Sequence, residues 1–177
     1  MYLQRVAPVT SMMDLKTSKL EQRMNTDISH KLKNFFVEHL PITQFMGLEV
    51  ESYDGEQLVL TAPLGPNIND KQTAFGGSLY NAAVMACWGF AYLKTQEKGL
   101  VCNQVVTGGD VKYIAPVTGK IRAICKNPGD DIVASFLDHF GRKGRAKISL
   151  EATITTDGEP DSKVAVLFSG QYAILSE

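Results

Sequence analysis

Between Asn67 and Asn81 the chain reads NINDKQTAFGGSLYN, which places a carboxylate (Asp70), side-chain amides (Asn69, Asn81), a hydroxyl (Ser78) and a phenol (Tyr80) around the pair Gly76-Gly77. An apolar run, Ala82 to Leu93, follows directly. A helix that starts at the glycines leaves its first amides unpaired and turns the positive end of its dipole outward, and glycine lets a ligand approach the backbone closely. Such a place suits an oxygen that gains negative charge, as a carbonyl oxygen does under attack, and losing one such donor typically costs on the order of 3 kcal/mol of barrier. The same pair also reads as a tight loop ahead of a buried helix. Asp70 is placed to act as a base or as a solvated turn former. Ser78 is a reacting hydroxyl or a helix cap, Asn81 a polar contact or part of a pocket wall, and Tyr80 the lining of an apolar tunnel or plain core. Asn69, taken alone, is a turn residue that bonds its own backbone.

The elements that must position these residues follow from hydrophobic periodicity. Ile28, Leu32, Phe35, Phe36 and Leu40 fall on one face of a helix that follows Thr26 as N-cap and stops at Pro41. Leu48 to Ser52 and Gln57 to Ala62 read as two strands joined at YDGE, a hairpin. After the apolar helix, Val101 to Val106 and Val111 to Ile114 flank TGGD and read as one strand kinked by a glycine bulge. Ile121 to Cys125 forms the next strand, after the turn APVTG. In the following one Ile148, Leu150, Ala152 and Ile154 alternate with Ser149, Glu151 and Thr153. Val164, Val166, Phe168, Tyr172 and Ile174 mark the last strand, with Gly170 as an expected bulge, and SFLDHFGRKGRAK reads as a basic connection. Residues 1–26 are polar with weak periodicity and read as a loose arm; residues 27–177 read as one domain. The order is helix, two strands, one long apolar helix, then four strands, which is an α+β class with antiparallel pairing. A helix that is apolar nearly all round must be covered on most sides, so the sheet has to curl about it, and that is the hotdog fold.

The 18 Lys and Arg against 19 Asp and Glu give a net charge of −1, which offers nucleic acid or an anionic membrane no global attraction. Cys87, Cys102 and Cys125 lack CxxC or Cys/His spacing and read as reduced core thiols of a cytoplasmic protein. His30, His39 and His139 have no ligand spacing, so no metal is expected. The apolar run is short of the roughly 20 residues that a bilayer requires, and Met1 to Leu20 lacks the pattern of a secretory leader.

The stretch NINDKQTAFGGSL resembles the signature, an asparagine followed by His-Gly-Gly-x-Leu, that opens the central helix of hotdog-fold acyl-CoA thioesterases of the phenylacetate-pathway type. VKYIAPVTGKIRA is similar to their Tyr-x-x-Pro-x-x-Gly strand and turn, through Tyr113, Pro116 and Gly119, and GRAKISLEATI and VAVLFSGQYAIL resemble their last two strands. The resemblance spans Gln44 to Leu175 and is to the thioesterases named for the YiiD C-terminal domain in particular. That domain is sometimes fused to a GNAT-type acetyltransferase. Here Gly144 and Ala146 have Gly141 where the acetyltransferase phosphate loop needs Arg or Gln, so acetyl transfer is not expected.

The resemblance implies hydrolysis of acyl-CoA, or of another acyl thioester such as one on acyl carrier protein, without a cofactor, in a cleft between subunits of a homodimer or a tetramer of dimers. It implies that Gly76 and Gly77 polarise the thioester carbonyl, that Asn69 holds the carbonyl or the attacking water, and that Phe75 and Tyr80 line the substrate site. Arg142, Lys143 and Arg145 would hold the phosphates of coenzyme A, although such a run also reads as a solvated strand start. Phe75 stands where relatives carry His, and Val84 where many carry Asp or Glu; neither does acid-base chemistry. The base then comes from Asp70, Ser78, Asn81 or a partner residue such as Asp110. Two alternatives stand beside hydrolysis. One is a non-catalytic acyl-thioester-binding module, which the missing acid-base groups favour; the other is an acyl-thioester hydratase or dehydratase, which needs a His and a carboxylate in the cleft.

Overall fold

The computed structural model describes residues 28–177. The expected arm, residues 1–26, and the expected cap Thr26 lie outside the described residues. Helix α1 is described over residues 28–39. It is followed by α2 (Pro41–Met46), β1 (Glu49–Tyr53), β2 (Gln57–Ala62), a 3-10 turn (Gly65–Asn67) and α3 (Gly76–Glu97). Then come β3 (Asn103–Tyr113), β4 (Ile121–Lys126), α4 (Asp130–Lys143), β5 (Arg145–Thr155) and β6 (Val164–Leu175). The six strands form one antiparallel sheet in the order β1-β2-β4-β5-β6-β3, which leaves β1 and β3 as its edges.

Helix α3 crosses this sheet and touches β2, β4, β5, β6 and β3, the arrangement its nearly uniform apolar character demands. Ala82, Ala83, Ala86 and Cys87 are fully buried, and such small side chains let the helix axis approach the strands closely. Gly89 carries this furthest. A Cβ there would lie 2.7 Å from Leu58 of β2 and 3.0 Å from Leu32 of α1, so the absent side chain, which costs a helix interior roughly 1 kcal/mol against alanine, is what admits both neighbours.

Two expectations are corrected and one is extended. The stretch read as a basic connection is largely helix α4, with Val133, Phe136 and Phe140 buried at helical spacing against β5. Asp130 and Asp131 in its first turn and Arg142 and Lys143 in its last complement the helix dipole, and Gly144 ends it at φ +64°. The last four strands are therefore split by a helix. Pro41 ends α1 but also opens α2 as a first-turn residue, where proline is tolerated. Gly170 is no bulge: it pairs regularly with Gly109 and Leu150. Its missing side chain makes room for the rings of Phe168 and Tyr172, which a Cβ would meet at 2.7 and 2.9 Å. The bulge expected near TGGD is present, as the register of β3 shifts between Val106 and Gly108.

Candidate active site at the start of helix α3

The loop before α3 is a small folded-back hairpin. Asn67, buried, anchors its base: Nδ2 donates to the carbonyls of Met46 and Pro63, both at 2.8 Å, and its own carbonyl accepts the Phe75 N–H at 2.7 Å. Ile68 bridges to Ala74, whose N–H donates to Val117 in the APVTG turn at 2.8 Å. At the tip, Asn69 Oδ1 accepts the N–H groups of Lys71 (2.8 Å) and Thr73 (3.2 Å), while Nδ2 donates to Thr73 Oγ1 at 3.0 Å. The Asn69 side chain is thus engaged by its own loop, as short polar side chains in turns commonly are. Asp70 stands beyond it in solvent, 81% exposed, paired with Lys71 at 3.2 Å.

Phe75 is the N-cap of α3 in an extended conformation, and no side chain caps the helix. Ser78 therefore does not fill the capping role. With no side-chain acceptor, the first-turn amides stay available to a ligand. Gly76 and Gly77 are absent from the residues with positive φ, so what glycine supplies here is space. A methyl on Gly77 would run into the Phe75 ring, whereas one on Gly76 would lie 3.6 Å from the Tyr113 ring, an ordinary contact. Tyr113, at the end of β3, donates its hydroxyl to the Gly76 carbonyl at 2.9 Å. Burial, with Tyr80 nearby, pushes its phenol above the ordinary value. Tyr80 stands edge-on to Phe168, with centroids 5.6 Å apart. Asn81 is half-buried, and its amide donates to Met46 Sδ at 3.0 Å.

Along the side of α3 that faces the β3 edge run Tyr80, Val84, Trp88 and Tyr92, one every fourth residue, with the Tyr80 hydroxyl against Gly109 and Trp88 Nε1 donating to the Gln104 carbonyl at 3.4 Å. Trp88 stacks on Tyr92 at 5.3 Å and on Phe35 of α1 at 5.1 Å. Val84 is half-buried in this stripe and its carbonyl accepts the Tyr172 hydroxyl at 3.0 Å. The stripe holds no carboxylate or imidazole.

The start of α3 thus gathers Asn69, Phe75, Gly76, Gly77, Ser78, Tyr80 and Asn81, while Arg142, Lys143 and Arg145 lie elsewhere. Arg145 pairs with Leu175, which pairs with Asn103, whereas Tyr113 pairs with Val166 and so with Ile154. From Arg145 to Ile154 is nine residues of strand, about 30 Å. In one chain the basic run is therefore at the opposite end of the sheet from Gly77. It rims a shallow hollow of about 540 Å³ lined by His139, Lys143, Gly144, Arg145, Leu175 and Ser176, while Arg142 is held by Asp138 at 2.8 Å. Asp110 is exposed opposite Ser169 on the outer face of the sheet.

The C-terminal end of α3 carries a different cluster, one the sequence reading missed. The Tyr53 hydroxyl bonds the Glu97 carboxylate, Lys94 pairs with Glu97 at 3.2 Å, and the Lys94 ammonium lies 5.5 Å from the Phe90 ring centroid. Burial and the adjacent Glu97 push the Tyr53 phenol far above its ordinary range. Among the described residues no group of three or more His, Cys, Asp or Glu is placed to hold a metal ion, and no helix is long and apolar enough to cross a membrane.

Comparison with known proteins bears on this geometry. Residues 29–176 match the family described as "Putative thioesterase (yiiD_Cterm)". A crystal structure from Chlorobaculum tepidum, of unknown function, is 65% identical, with 86% of this chain and 97% of that one covered and a TM-score of 0.82. A structure from Shewanella oneidensis described as a "putative thioesterase" is 27% identical over 86% of this chain and 99% of that one, with a TM-score of 0.74. The E. coli PaaI protein, from the phenylacetic acid degradation operon, shares the fold at 19% identity and a TM-score of 0.55, with 82% of this chain and 94% of that one covered.

Proposed function

The chain belongs to the thioesterase family named for the YiiD C-terminal domain, and on that premise we propose that it hydrolyses acyl-CoA thioesters to free acid and thiol. The observation that carries this reading is the uncapped start of α3, where Gly76 and Gly77 expose backbone amides. Water attacks the thioester carbon, the carbonyl oxygen takes up the negative charge against the Gly77 N–H, and collapse of the adduct expels the thiolate. A thiol of pKa about 8.5 leaves as its anion without a general acid, so replacement of the usual His by Phe75 is compatible with the reaction. Phe75 and Tyr80 would flank the acyl group. The proton of the attacking water goes to solvent or to a carboxylate, for which Asp70 is the candidate, since Asp110 lies on the sheet face away from α3; Ser78 and Asn81 would orient the water.

The reading includes a homodimer, or a tetramer of such dimers. Strand β3 is an eleven-residue edge with Val105, Val106 and Tyr113 exposed, the kind of edge that natural proteins cover or pair. Antiparallel pairing of two such edges about an axis near Gly108 would bring the Asn103 end of one chain, and with it Arg145, toward Tyr113 of the other. Arg142, Lys143 and Arg145 would then hold the coenzyme A phosphates at the partner's Gly77, which favours coenzyme A over acyl carrier protein. No cofactor is needed, and the setting would be the cytoplasm. A non-catalytic acyl-thioester-binding module is the second reading, favoured by the engaged Asn69 amide and by the lack of a carboxylate or imidazole along α3.

Thiol release from a panel of short, long and aryl acyl-CoAs, measured beside Asn69→Ala and Asp70→Ala, separates the two. Turnover lost in either variant assigns that residue a role in hydrolysis. Saturable binding without release from any substrate would replace hydrolysis by the binding module.

A further inference from the structure

The carbonyl that Tyr113 bonds belongs to the same planar peptide unit as the Gly77 N–H, because the oxygen of residue 76 and the amide hydrogen of residue 77 share one C–N bond. A donor placed on that oxygen draws electron density toward it and makes the N–H at the other end more positive; bonds linked in this way strengthen one another by about 10–30%. It also fixes the plane of the peptide, and so the direction in which the N–H points. The ring of Tyr113 lies against the same unit, 3.6 Å from where a Cβ of residue 76 would stand.

We infer that Tyr113 is a positioning residue for thioester hydrolysis, acting through the Gly76-Gly77 peptide to orient and strengthen the Gly77 N–H that receives the carbonyl oxygen. The inference rests on the thioesterase reading. Tyr172 provides the internal contrast. It makes a bond of the same kind, from its hydroxyl to the Val84 carbonyl at 3.0 Å, but it is fully buried, and the N–H sharing that peptide belongs to Met85, inside the helical ladder. There the hydroxyl satisfies its own burial and braces the helix. Tyr113 is 53% exposed, so burial does not require its hydroxyl to find a protein acceptor, and the N–H it polarises is in the open first turn.

The test is Tyr113→Phe in the full chain, with Tyr172→Phe as the bracing control. If the strengthening is a fraction of what a whole oxyanion donor supplies, kcat falls about fivefold. KM should stay within about twofold and the alkaline limb of the pH profile should keep its position, since the hydroxyl orients a donor and transfers no proton. In the ligand-free protein the Gly77 amide proton resonance should move upfield in Tyr113→Phe and stay in place in Tyr172→Phe. An unchanged kcat with an unmoved Gly77 amide overturns the inference while wild-type turnover leaves the thioesterase reading standing. Loss of the alkaline limb in Tyr113→Phe also overturns it, because Tyr113 would then be an acid-base group. A wild type that hydrolyses no thioester removes the underlying reading instead.

Discussion

The two ends of α3 are built on opposite plans. At the C-terminal end, ionisable groups meet one another: Tyr53, Lys94 and Glu97 are bonded or paired within a half-buried cluster. At the N-terminal end no carboxylate, imidazole or ammonium lies on the helix; what it offers is backbone amides with no capping side chain, glycines that keep the approach open, and a tyrosine placed behind one peptide. Strongly perturbed ionisable groups are a common sign of an active site, but the raised Tyr53 phenol follows from burial and its bond to Glu97, at the end of α3 away from the glycines. On the proposed reading, this helix carries its chemistry in its backbone at one end and pairs its charged side chains at the other.

The comparison is broken most severely at the C-terminal end. Glu97→Ala leaves the Lys94 ammonium and the Tyr53 hydroxyl half-buried without their acceptor, which should cost about 3 kcal/mol and lower Tm by about 10 °C. Thiol release measured well below that Tm should be unchanged; a parallel loss of turnover would mean that the two ends are not separate. At the N-terminal end, Gly77→Ala should lower kcat about thirtyfold with little change in Tm. Because the new methyl would strike the Phe75 ring, Phe75→Ala should restore part of that loss, and a double-mutant cycle that comes out additive would refute the steric cause.

A smaller effect comes from pH. The Tyr53 phenol is raised in the folded state above its unfolded value of 10.0, so its bond to Glu97 stabilises fully below pH 10 and is lost as pH rises toward the folded value. Denaturant midpoints of the wild type should therefore fall more steeply above pH 10 than those of Tyr53→Phe. The smallest effect is expected at the remote basic run. Arg145→Ala should raise KM for acyl-CoA about fivefold and leave unchanged the KM for thioesters of a thiol without phosphates. Equal changes for both would remove Arg145 from the binding of coenzyme A.

Local periodicity carried most of the fold. The apolar run of α3 and the alternation in β5 and β6 are visible because burial imposes a period of its own on each element. Helix α4 was hidden although Val133, Phe136 and Phe140 fall at helical spacing, because the glycines and cations of its last turns read as loop chemistry. Gly170 misled for a related reason: a glycine in a strand signals a bulge or a close approach, and only the facing rings of Phe168 and Tyr172 decide between them. At the site, Gly76 and Gly77 were legible as a helix start with open amides. Tyr113 stood in the quoted motif, yet its bond to Gly76 spans 37 positions, and no local rule connects residues so far apart. Asn69 shows the converse, since its bonds close within five residues and the turn reading anticipated them.

The packing of α3 on β4 also decides how the protein's own thiols respond to reagents. Cys87 and Cys125 are completely covered, Cys102 is half-exposed, and burial pushes the thiols of Cys102 and Cys125 upward. An alkylating probe should take Cys102 first and reach the other two only when the helix lifts from the sheet, so their labelling rate becomes a stopwatch for opening of the core. In a thiol-release assay the enzyme therefore adds about one slow equivalent of its own to the signal, and blocking Cys102 beforehand would give that assay a flat baseline.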